Sequence, residues 1–534
     1  MTRVEVAVVG AGFAGIGAAA ALRRAGREDF VLLERAASVG GTWRDNTYPG
    51  VACDVPAHLY GFAAHPNPSW SGTYARGDEI RAYLEGVVDA EGLRDRLRLR
   101  CAMQWADWDA EHEVWRIGTG SSSTASRARG DIVVADVLVL ACGRLTEPTI
   151  PRVTGLETFP GPLFHSARWD HSADLAGARV GVVGTGASAV QIVPELARTA
   201  AHVTLFQRTP AWIVPRGGDA YSDDDRARFV ADPESLEALR ADLYAEGEAR
   251  FASRSGDSAA AAEAEAVARA HLERQVADPA LRVALTPDYA FGCKRVLLSD
   301  EFYPAVASDA VSLVTASLAA VDDSTLVASD GSRHEVDALV LATGFASTRQ
   351  PYADLVVGEQ GQTLAAHWSG GMTAFASTVV AGFPNLFVLN GPNASLGHSS
   401  SVLMIEEQAT YVARVLDARD GRVLRVDPGA EQAYTDEIAR AAASTRWMTG
   451  GCRNWYVDER SGRLTLLWPG TVDAFRARLA RADGSEFLWP IGEPVEPPQS
   501  TRRPVAEPVE PYGRVSSSTH CSRRESHDHA STGW

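Results

Sequence analysis

The chain has 534 residues, of which 45% are hydrophobic and 22% are charged, and its formal net charge is -17. This length exceeds what a single hydrophobic core fills, so we expect more than one domain. The acidic balance and the lack of a basic block argue against nucleic acid and against a membrane surface as partners. The six cysteines form no C-x-x-C pair, which suits neither a disulfide scaffold nor a structural zinc site and is consistent with a reducing cytoplasm.

The N-terminal segment predicts a strand, a glycine turn, a helix and a second strand. The strand is expected at residues 4–9, the helix at 14–25 and the second strand at 30–34. Residues 4–22 are nearly as long and apolar as a membrane span. Their interspersed glycines, and the lack of a basic region with a cleavage site, favour the strand–turn–helix over a span or a signal peptide.

The turn in this unit carries the spacing of a dinucleotide-binding loop. Gly10 allows the tight turn, Gly12 lets the backbone approach a pyrophosphate, and Gly15 lets the helix pack closely on the strand. Glu34 follows nineteen residues after Gly15, at the end of the second strand. An acid at this place accepts hydrogen bonds from a ribose diol and repels a 2′-phosphate. The first site is therefore predicted to bind FAD or NAD rather than NADPH.

A second unit of the same layout begins about 170 residues later, with a strand at 179–183, a helix at 188–198 and a strand at 202–207. Its loop consists of Gly184, Thr185, Gly186, Ala187, Ser188 and Ala189. The second strand is followed by Arg208 and Thr209 instead of an acid. Both side chains can bind a 2′-phosphate through hydrogen bonds, which predicts NADPH at this site.

The repeated units predict an α/β fold with two Rossmann-like dinucleotide-binding domains and a helical insertion. We expect residues 1–150 and 336–491 to form the FAD domain, with the NADP domain inserted at 151–335. The segment 221–285 is rich in Ala, Glu and Arg and predicts surface helices within the second domain. The tail 492–534 is predicted to be disordered because it contains little apolar material.

Among the 51 basic residues, only Lys294 is a lysine, and Arg295 follows it directly. A single lysine must lie somewhere, so its position alone decides nothing.

A motif between the two loops resembles a known family. Phe159, Gly161, His165, Trp169 and Asp170 match the F-x-G-x-x-x-H-x-x-x-W-(P/D) fingerprint of type I Baeyer–Villiger monooxygenases, which are class B flavoprotein monooxygenases. The resemblance covers roughly residues 4–490. The sequence departs from the family pattern at Cys142, Asp170 and Arg44. These departures leave the predicted cofactors unchanged, but the substrate range of the family does not carry over to this chain.

The resemblance also assigns expected roles to single residues. The segment similar to the family's flavin site contains Gly41, Thr42, Trp43, Cys53, Asp54 and Tyr60. Lys294 matches a lysine that contacts the 2′-phosphate, and Arg295 matches an arginine over the flavin, which Asp54 orients. Trp447 resembles a tryptophan that packs on bound NADP. We expect His165 and His398 to be structural, and Trp169 to pack at the hinge between the domains.

The activity that the resemblance implies is an FAD-dependent, NADPH-consuming oxygenation. One atom of O2 enters next to the carbonyl of a small, apolar ketone through a C4a-peroxyflavin, giving an ester or a lactone. An enzyme that oxygenates nitrogen or sulfur is the close alternative. A disulfide reductase would need a redox cysteine pair, which the sequence does not suggest, and a vestigial flavin site on a scaffold protein is a further alternative.

Overall fold

The computed structural model describes residues 2–121, 131–482 and 484–488. The tail predicted to be disordered lies outside the described residues. The first unit forms as the sequence predicts, with a strand at Thr2–Val9, a helix at Phe13–Arg24 and a strand at Phe30–Leu33. The two strands pair in parallel, and the alanine-rich helix between them is buried along most of its length.

This unit lies in an eight-stranded mixed sheet. Its strands, in spatial order, are Val356–Val357, Ala102–Asp109, Val114–Gly120, Asp131–Leu140, Thr2–Val9, Phe30–Leu33 and Leu97–Arg98, with Leu386–Val388 also paired to Asp131–Leu140. The glycine loop thus follows a central strand that has parallel neighbours on both sides. Ligands of doubly wound sheets bind at the carboxyl ends of such strands.

The second unit lies in a separate sheet of five parallel strands. Their spatial order is Val311–Val314, His202–Phe206, Arg179–Val183, Ala338–Leu341 and Leu163–His165. The helix Ala187–Thr199 follows the second glycine loop, as predicted. The α/β fold with two Rossmann-like units is confirmed by this topology.

Helices and short hairpins complete the fold. The segment 221–285 contains the helices Asp223–Ala231, Pro233–Ala249, Ser258–Gln275 and Pro279–Leu285 and the 3-10 turn Arg250–Arg254. The other α-helices are Thr42–Asp45, Gly77–Ala90, Phe302–Val306, Leu364–His367, Ser401–Ala418, Pro428–Ala442, Arg446–Thr449 and Val472–Ala480. The small sheets join Ile213–Val214 to Leu297–Leu298, Leu318–Asp322 to Thr325–Ala328 and Arg333–Glu335, Arg425–Val426 to Phe487–Leu488, and Val457–Asp458 to Arg463–Leu464. In the part of the chain that the structure describes, no helix is long and apolar enough to cross a membrane.

Two motif glycines lie where no side chain fits. A Cβ at Gly15 would lie 1.7 Å from the backbone oxygen of Gly10, and a Cβ at Gly161 would lie 2.1 Å from that of Asp337. The first contact brings the helix onto the strand in the dinucleotide loop. The second brings the fingerprint segment against the strand Ala338–Leu341, so this glycine serves packing.

The two segments that connect the sheets run side by side. Thr149 donates a backbone hydrogen bond to Gly344 at 2.8 Å, and Ala346 donates one to Glu147 at 2.9 Å. We propose that these paired segments are the links between the FAD domain and the inserted NADP domain, which would place the domain boundaries here.

The cysteines differ from expectation at one pair. Cys293 and Cys452 form a disulfide across a sequence separation of 159 residues. The cysteine spacing, which contains no C-x-x-C pair, gave no sign of this bond, because the fold brings together two cysteines that share no local motif. The free cysteines of the described residues are Cys53, Cys101 and Cys142.

Candidate active site

The first glycine loop ends at a helix whose N-terminus has no side-chain cap. Gly12 is the N-cap residue of the helix Phe13–Arg24, so its first backbone N–H groups point into the site without a side-chain acceptor. Glu34 is buried beside the loop and accepts hydrogen bonds from the backbone N–H of Ala11 at 2.9 Å and of Ala36 at 2.8 Å. A free helix N-terminus next to a fixed carboxylate suits a pyrophosphate followed by a ribose.

The segment that resembles the flavin site folds over this loop. Gly41, which begins the short helix Thr42–Asp45, lies against Gly12, since a Cβ on Gly41 would lie 3.1 Å from the Cα of Gly12. The indole N–H of Trp43 donates to the Tyr60 hydroxyl at 3.3 Å, and the two rings meet edge to face. The sequence-predicted residues of this segment are thus brought together at one end of the sheet.

Two of these residues are held in their neutral forms. Burial raises the pKa of the Cys53 thiol and that of the Tyr60 hydroxyl above their usual values. Neither group would ionise at neutral pH, so we expect both to contribute packing and hydrogen bonds to this end of the sheet.

The departure at Arg44 has a local explanation. Its guanidinium forms an ion pair with Glu34 at 3.0 Å and with Asp45 at 2.8 Å. Arg44 thus helps to hold the carboxylate of Glu34 in position at the end of the second strand.

The second glycine loop repeats the open geometry of the first. Gly186 is the N-cap of the helix Ala187–Thr199, again without a side-chain cap, and a Cβ there would have no neighbour within 4 Å. Thr185 donates its hydroxyl to the backbone oxygen of Thr209 at 2.8 Å and so ties the loop to the end of the next strand. Ser188 lies in the first turn of the helix, and Ala189 is fully buried beneath it.

Three predicted phosphate-binding residues meet at this strand end. The ammonium of Lys294 donates to the hydroxyl of Thr209 at 2.9 Å and lies 4.6 Å from the centre of the Tyr289 ring. Burial, and then the nearby charge of Arg208, lower the pKa of Lys294. Within the described residues neither cation has a carboxylate within ion-pair distance. Two cations held close together without an ion-pair partner among the described residues suit a 2′-phosphate.

Arg295 and Asp54 form a two-pronged ion pair between the two units. Nε of Arg295 donates to Oδ2 of Asp54 at 2.9 Å, and Nη2 donates to Oδ1 at 2.6 Å. The side chains are 32% and 22% exposed. The charge of Asp54 raises the pKa of Arg295 above its ordinary value, so the guanidinium stays charged.

This ion pair lines a cavity of about 290 Å³. The apolar part of the lining includes Val55, Leu59, Val214, Phe291, Val296 and Leu298. The polar part includes Glu246, Arg250, Ser253, Arg254, Glu263, His398 and Ser399. Several of these side chains come from the helical insertion, so the insertion forms a wall of the site.

Gln191 joins the NADP unit to the flavin segment, and the sequence reasoning missed it. Its amide donates to the backbone oxygen of Ala52 at 3.0 Å and accepts from the hydroxyl of Tyr48 at 3.2 Å. A glutamine within an amphipathic helix carries no signal of such a contact. Its effect is to hold the segment that carries Asp54 against the helix Ala187–Thr199.

Arg144 is a second residue without a sequence signal. It follows Gly143, just after the buried strand Asp131–Leu140, donates to the side-chain oxygen of Asn390, and lies 3.5 Å from the hydroxyl of Ser401. Burial lowers its pKa to about 10, which still leaves it charged at neutral pH. Arg144 thus adds a positive charge near Arg295, and the charge of Arg295 contributes to the lowered pKa of Arg144.

The two tryptophans with predicted roles, Trp447 and Trp169, are both packed against other aromatic rings. Trp447 is buried against Phe251 and Tyr456, at ring distances of 6.4 Å each. Its contact with NADP stays a prediction. Trp169 packs edge to face on Phe164 at 4.9 Å and lies, partly buried, against the core of the NADP unit. Its place at the hinge between the domains stays a prediction.

Both histidines are held neutral by burial. Burial lowers the pKa of His165 to about 4, and its Nδ1 accepts from the backbone N–H of Ala167 at 3.1 Å. Burial also lowers the pKa of His398, whose Nε2 lies 3.6 Å from the carboxylate of Glu248. These contacts are those of structural residues, although His398 also lines the cavity.

Comparison with known proteins agrees with this geometry. Residues 3–225 match the flavin-binding monooxygenase-like family model. A Baeyer–Villiger monooxygenase of Streptomyces coelicolor is 48% identical over 488 residues, covering 91% of this chain and 92% of that protein. The chain belongs to the Baeyer–Villiger monooxygenase family.

Solved structures of this family share the whole fold. A steroid monooxygenase bound to NADP superposes with a TM-score of 0.79 at 30% identity, covering 92% of this chain and 100% of that one. Cyclohexanone monooxygenase from Rhodococcus sp. Phi1, bound to NADP+, gives 0.81 at 26% identity, covering 91% and 99%. The resemblance first noted in the fingerprint therefore extends to the complete Baeyer–Villiger architecture.

Proposed function

We propose that this Baeyer–Villiger monooxygenase converts a ketone to an ester or a lactone with FAD, NADPH and O2. One oxygen atom enters the bond next to the carbonyl carbon, and the other leaves as water at the expense of NADPH. The observation that carries the proposal is the Arg295–Asp54 pair, which lies in a cavity at the junction of two dinucleotide-binding units.

The residues present fit both cofactors. The uncapped helix at Gly12 and the buried Glu34 would hold the pyrophosphate and ribose of FAD. Arg208, Thr209 and Lys294 would hold the 2′-phosphate of NADPH. When bound, these cofactors supply hydride transfer and the activation of O2.

The protein's own contribution to oxygenation is a fixed positive charge. Oxygenation next to a carbonyl develops negative charge on oxygen, and a guanidinium that cannot lose its proton stabilises such charge without reorganisation. Asp54 holds the fork of Arg295 in one orientation through two hydrogen bonds. The apolar walls around the pair limit water, which strengthens the interaction.

The test is oxygenation by the purified flavoprotein. NADPH and O2 consumption would be measured with cyclic, linear, aromatic and polycyclic ketones, followed by identification of the products. Esters or lactones formed in step with NADPH consumption are the expected result. Oxygenation of an amine or thioether, with no ketone converted, would contradict the carbonyl assignment.

The cytoplasmic location predicted from cysteine usage remains a proposal. The Cys293–Cys452 disulfide is not typical of a reducing compartment, so cell fractionation, with the disulfide trapped at lysis, is the measurement that bears on it.

A further inference from the structure

The cavity next to Arg295 contains a second arginine that has no anionic partner. Arg254 ends the 3-10 turn Arg250–Arg254 and lines the cavity with a partly buried side chain. Its guanidinium lies 5.2 Å from the centre of the Phe291 ring and donates to the hydroxyl of Ser253. Within residues 2–121, 131–482 and 484–488, no carboxylate lies within ion-pair distance of it.

The other two arginines that line the cavity have carboxylate partners. Arg295 is paired with Asp54, and Arg250 is paired with Glu246. Glu263 lies on the exposed side of the helix Ser258–Gln275 and forms no ion pair with Arg254. Of the arginines that line the cavity, Arg254 is thus the one without an ion-pair partner among the described residues, and partly desolvated charges are usually paired in folded proteins.

The packing of Arg254 holds its guanidinium in place. Its stem lies along the turn that carries Arg295, because a Cβ on Gly292 would lie 3.6 Å from Cδ of Arg254. Burial and the charges of the neighbouring arginines lower its pKa to about 10, so it remains charged at neutral pH. The charge of Arg295 is among those that act on it, which places the two guanidinium groups at one site.

A second observation points to a ligand in the same place. The hydroxyl of Ser399 lines the cavity, belongs to a residue that is only 8% exposed, and has no hydrogen-bond partner among the described residues. A buried hydroxyl without a partner is uncommon in native structures. It can donate to an acceptor on a bound molecule, as the guanidinium can.

We propose that Arg254 binds a carboxylate of the substrate, so that the enzyme prefers ketones that carry an acid group. The inference rests on the proposed ketone oxygenation and adds a substrate class to it. The planar fork of a guanidinium matches a carboxylate with two parallel hydrogen bonds. The apolar lining of the cavity would hold the body of such an oxo acid, and the one guanidinium of the lining without an ion pair suits a monoanion.

The experiment compares an oxo acid with its neutral ester. Levulinate, its longer-chain methyl-ketone homologues and the methyl ester of each would be oxidised by the holoenzyme, with KM, kcat and product determined for each pair. For at least one chain length we expect a KM roughly 10- to 100-fold lower for the acid than for the ester, which is the worth of a hydrogen bond to a charged group. Equal KM values for acid and ester at every length would overturn the inference and leave ketone oxygenation intact.

Variants then assign the preference to one residue. Arg254→Gln should raise KM for the acid and leave KM for the ester and for NADPH unchanged, and Arg254→Lys should restore part of the preference. Arg274→Gln is the matched control, because it removes an exposed arginine of the same insertion that does not line the cavity. It should leave the ratio of acid to ester KM as it is.

The remaining outcomes separate this proposal from its rivals. A rise in KM for NADPH in Arg254→Gln would assign the arginine to a coenzyme phosphate and overturn the proposal. An equal rise for acid and ester would indicate a structural role and do the same. Failure to oxygenate any ketone, acid or neutral, would instead remove the proposed function on which the inference rests.

Discussion

Replacing Arg295 by alanine should separate NADPH oxidation from oxygenation. The residues expected to bind the coenzyme phosphate, Arg208, Thr209 and Lys294, do not depend on the guanidinium of Arg295 for their contacts. Reduction by NADPH should therefore continue. Loss of one preorganised charge at a reacting oxygen typically costs about 10²- to 10³-fold in rate, or roughly 3–4 kcal/mol. The activated oxygen should then be released as hydrogen peroxide.

The same substitution has a predictable cost in stability. Removing one partner of a fully buried ion pair costs roughly 3–5 kcal/mol, and a surface pair is worth about 0–1 kcal/mol. Because the side chains of Arg295 and Asp54 are 32% and 22% exposed, their pair lies between these limits. We expect the free energy of unfolding to fall by about 1–3 kcal/mol. The double variant Arg295→Ala, Asp54→Ala should recover part of this loss, since it leaves no unpaired carboxylate.

The assay measures three quantities on the flavin-loaded protein: NADPH consumed, hydrogen peroxide formed and ester or lactone formed. Arg295→Lys is the matched control, because it keeps a positive charge and loses the two-pronged contact with Asp54. We expect it to retain some product. If Arg295→Ala formed product in step with NADPH at the rate of the unchanged enzyme, the electrostatic role would be refuted. If it failed to oxidise NADPH at all, the separation of the two half-reactions would be wrong.

Three further predictions concern the parts that surround this pair. Arg208→Ala and Lys294→Ala should each raise KM for NADPH by roughly 10- to 100-fold and change KM for NADH little, whereas equal effects on both coenzymes would contradict a 2′-phosphate site. Gly15→Ala should yield protein without bound flavin, because a Cβ there would lie 1.7 Å from a backbone oxygen of the same loop, and a flavin absorbance equal to that of the unchanged enzyme would refute this. Denatured, unreduced protein should titrate four thiols, since Cys293 and Cys452 are two of six cysteines and form a disulfide, and six thiols would show that the bond is absent.

The elements that could be predicted from the sequence are those whose signals are local. Both strand–loop–helix units form within one or two residues of their predicted bounds. Their glycines are constrained by contacts with nearby backbone, as Gly15 is by Gly10, and such contacts leave a fixed spacing in the sequence. The adjacency of Lys294 and Thr209 was also predictable, because the place of Thr209 after the second strand and the family resemblance of Lys294 assign both residues to the same phosphate.

Residues that contact partners far away in the sequence left no such pattern. Gln191 meets Ala52 across 139 positions, and the disulfide spans 159. Arg254 is one arginine among fifty in the chain, and only the folded insertion shows that it faces a cavity and has no ion-pair partner in the described part of the chain. Their positions depend on how two domains pack, which no short pattern encodes.

The short turn at residues 293–295 connects the disulfide, the predicted phosphate site and the predicted oxygenation site. Cys293, Lys294 and Arg295 are consecutive, yet they contact three distant parts of the molecule. Cys293 is bonded to the C-terminal part of the chain, Lys294 contacts the strand end beside the second glycine loop, and Arg295 contacts Asp54 of the flavin segment. A displacement of this turn would therefore move the phosphate-binding cation and the oxygenation charge together. With the roles proposed for Lys294 and Arg295, we expect a 2′-phosphate that fixes Lys294 to restrict the position of Arg295 as well, even though the guanidinium of Arg295 takes no part in the phosphate contacts.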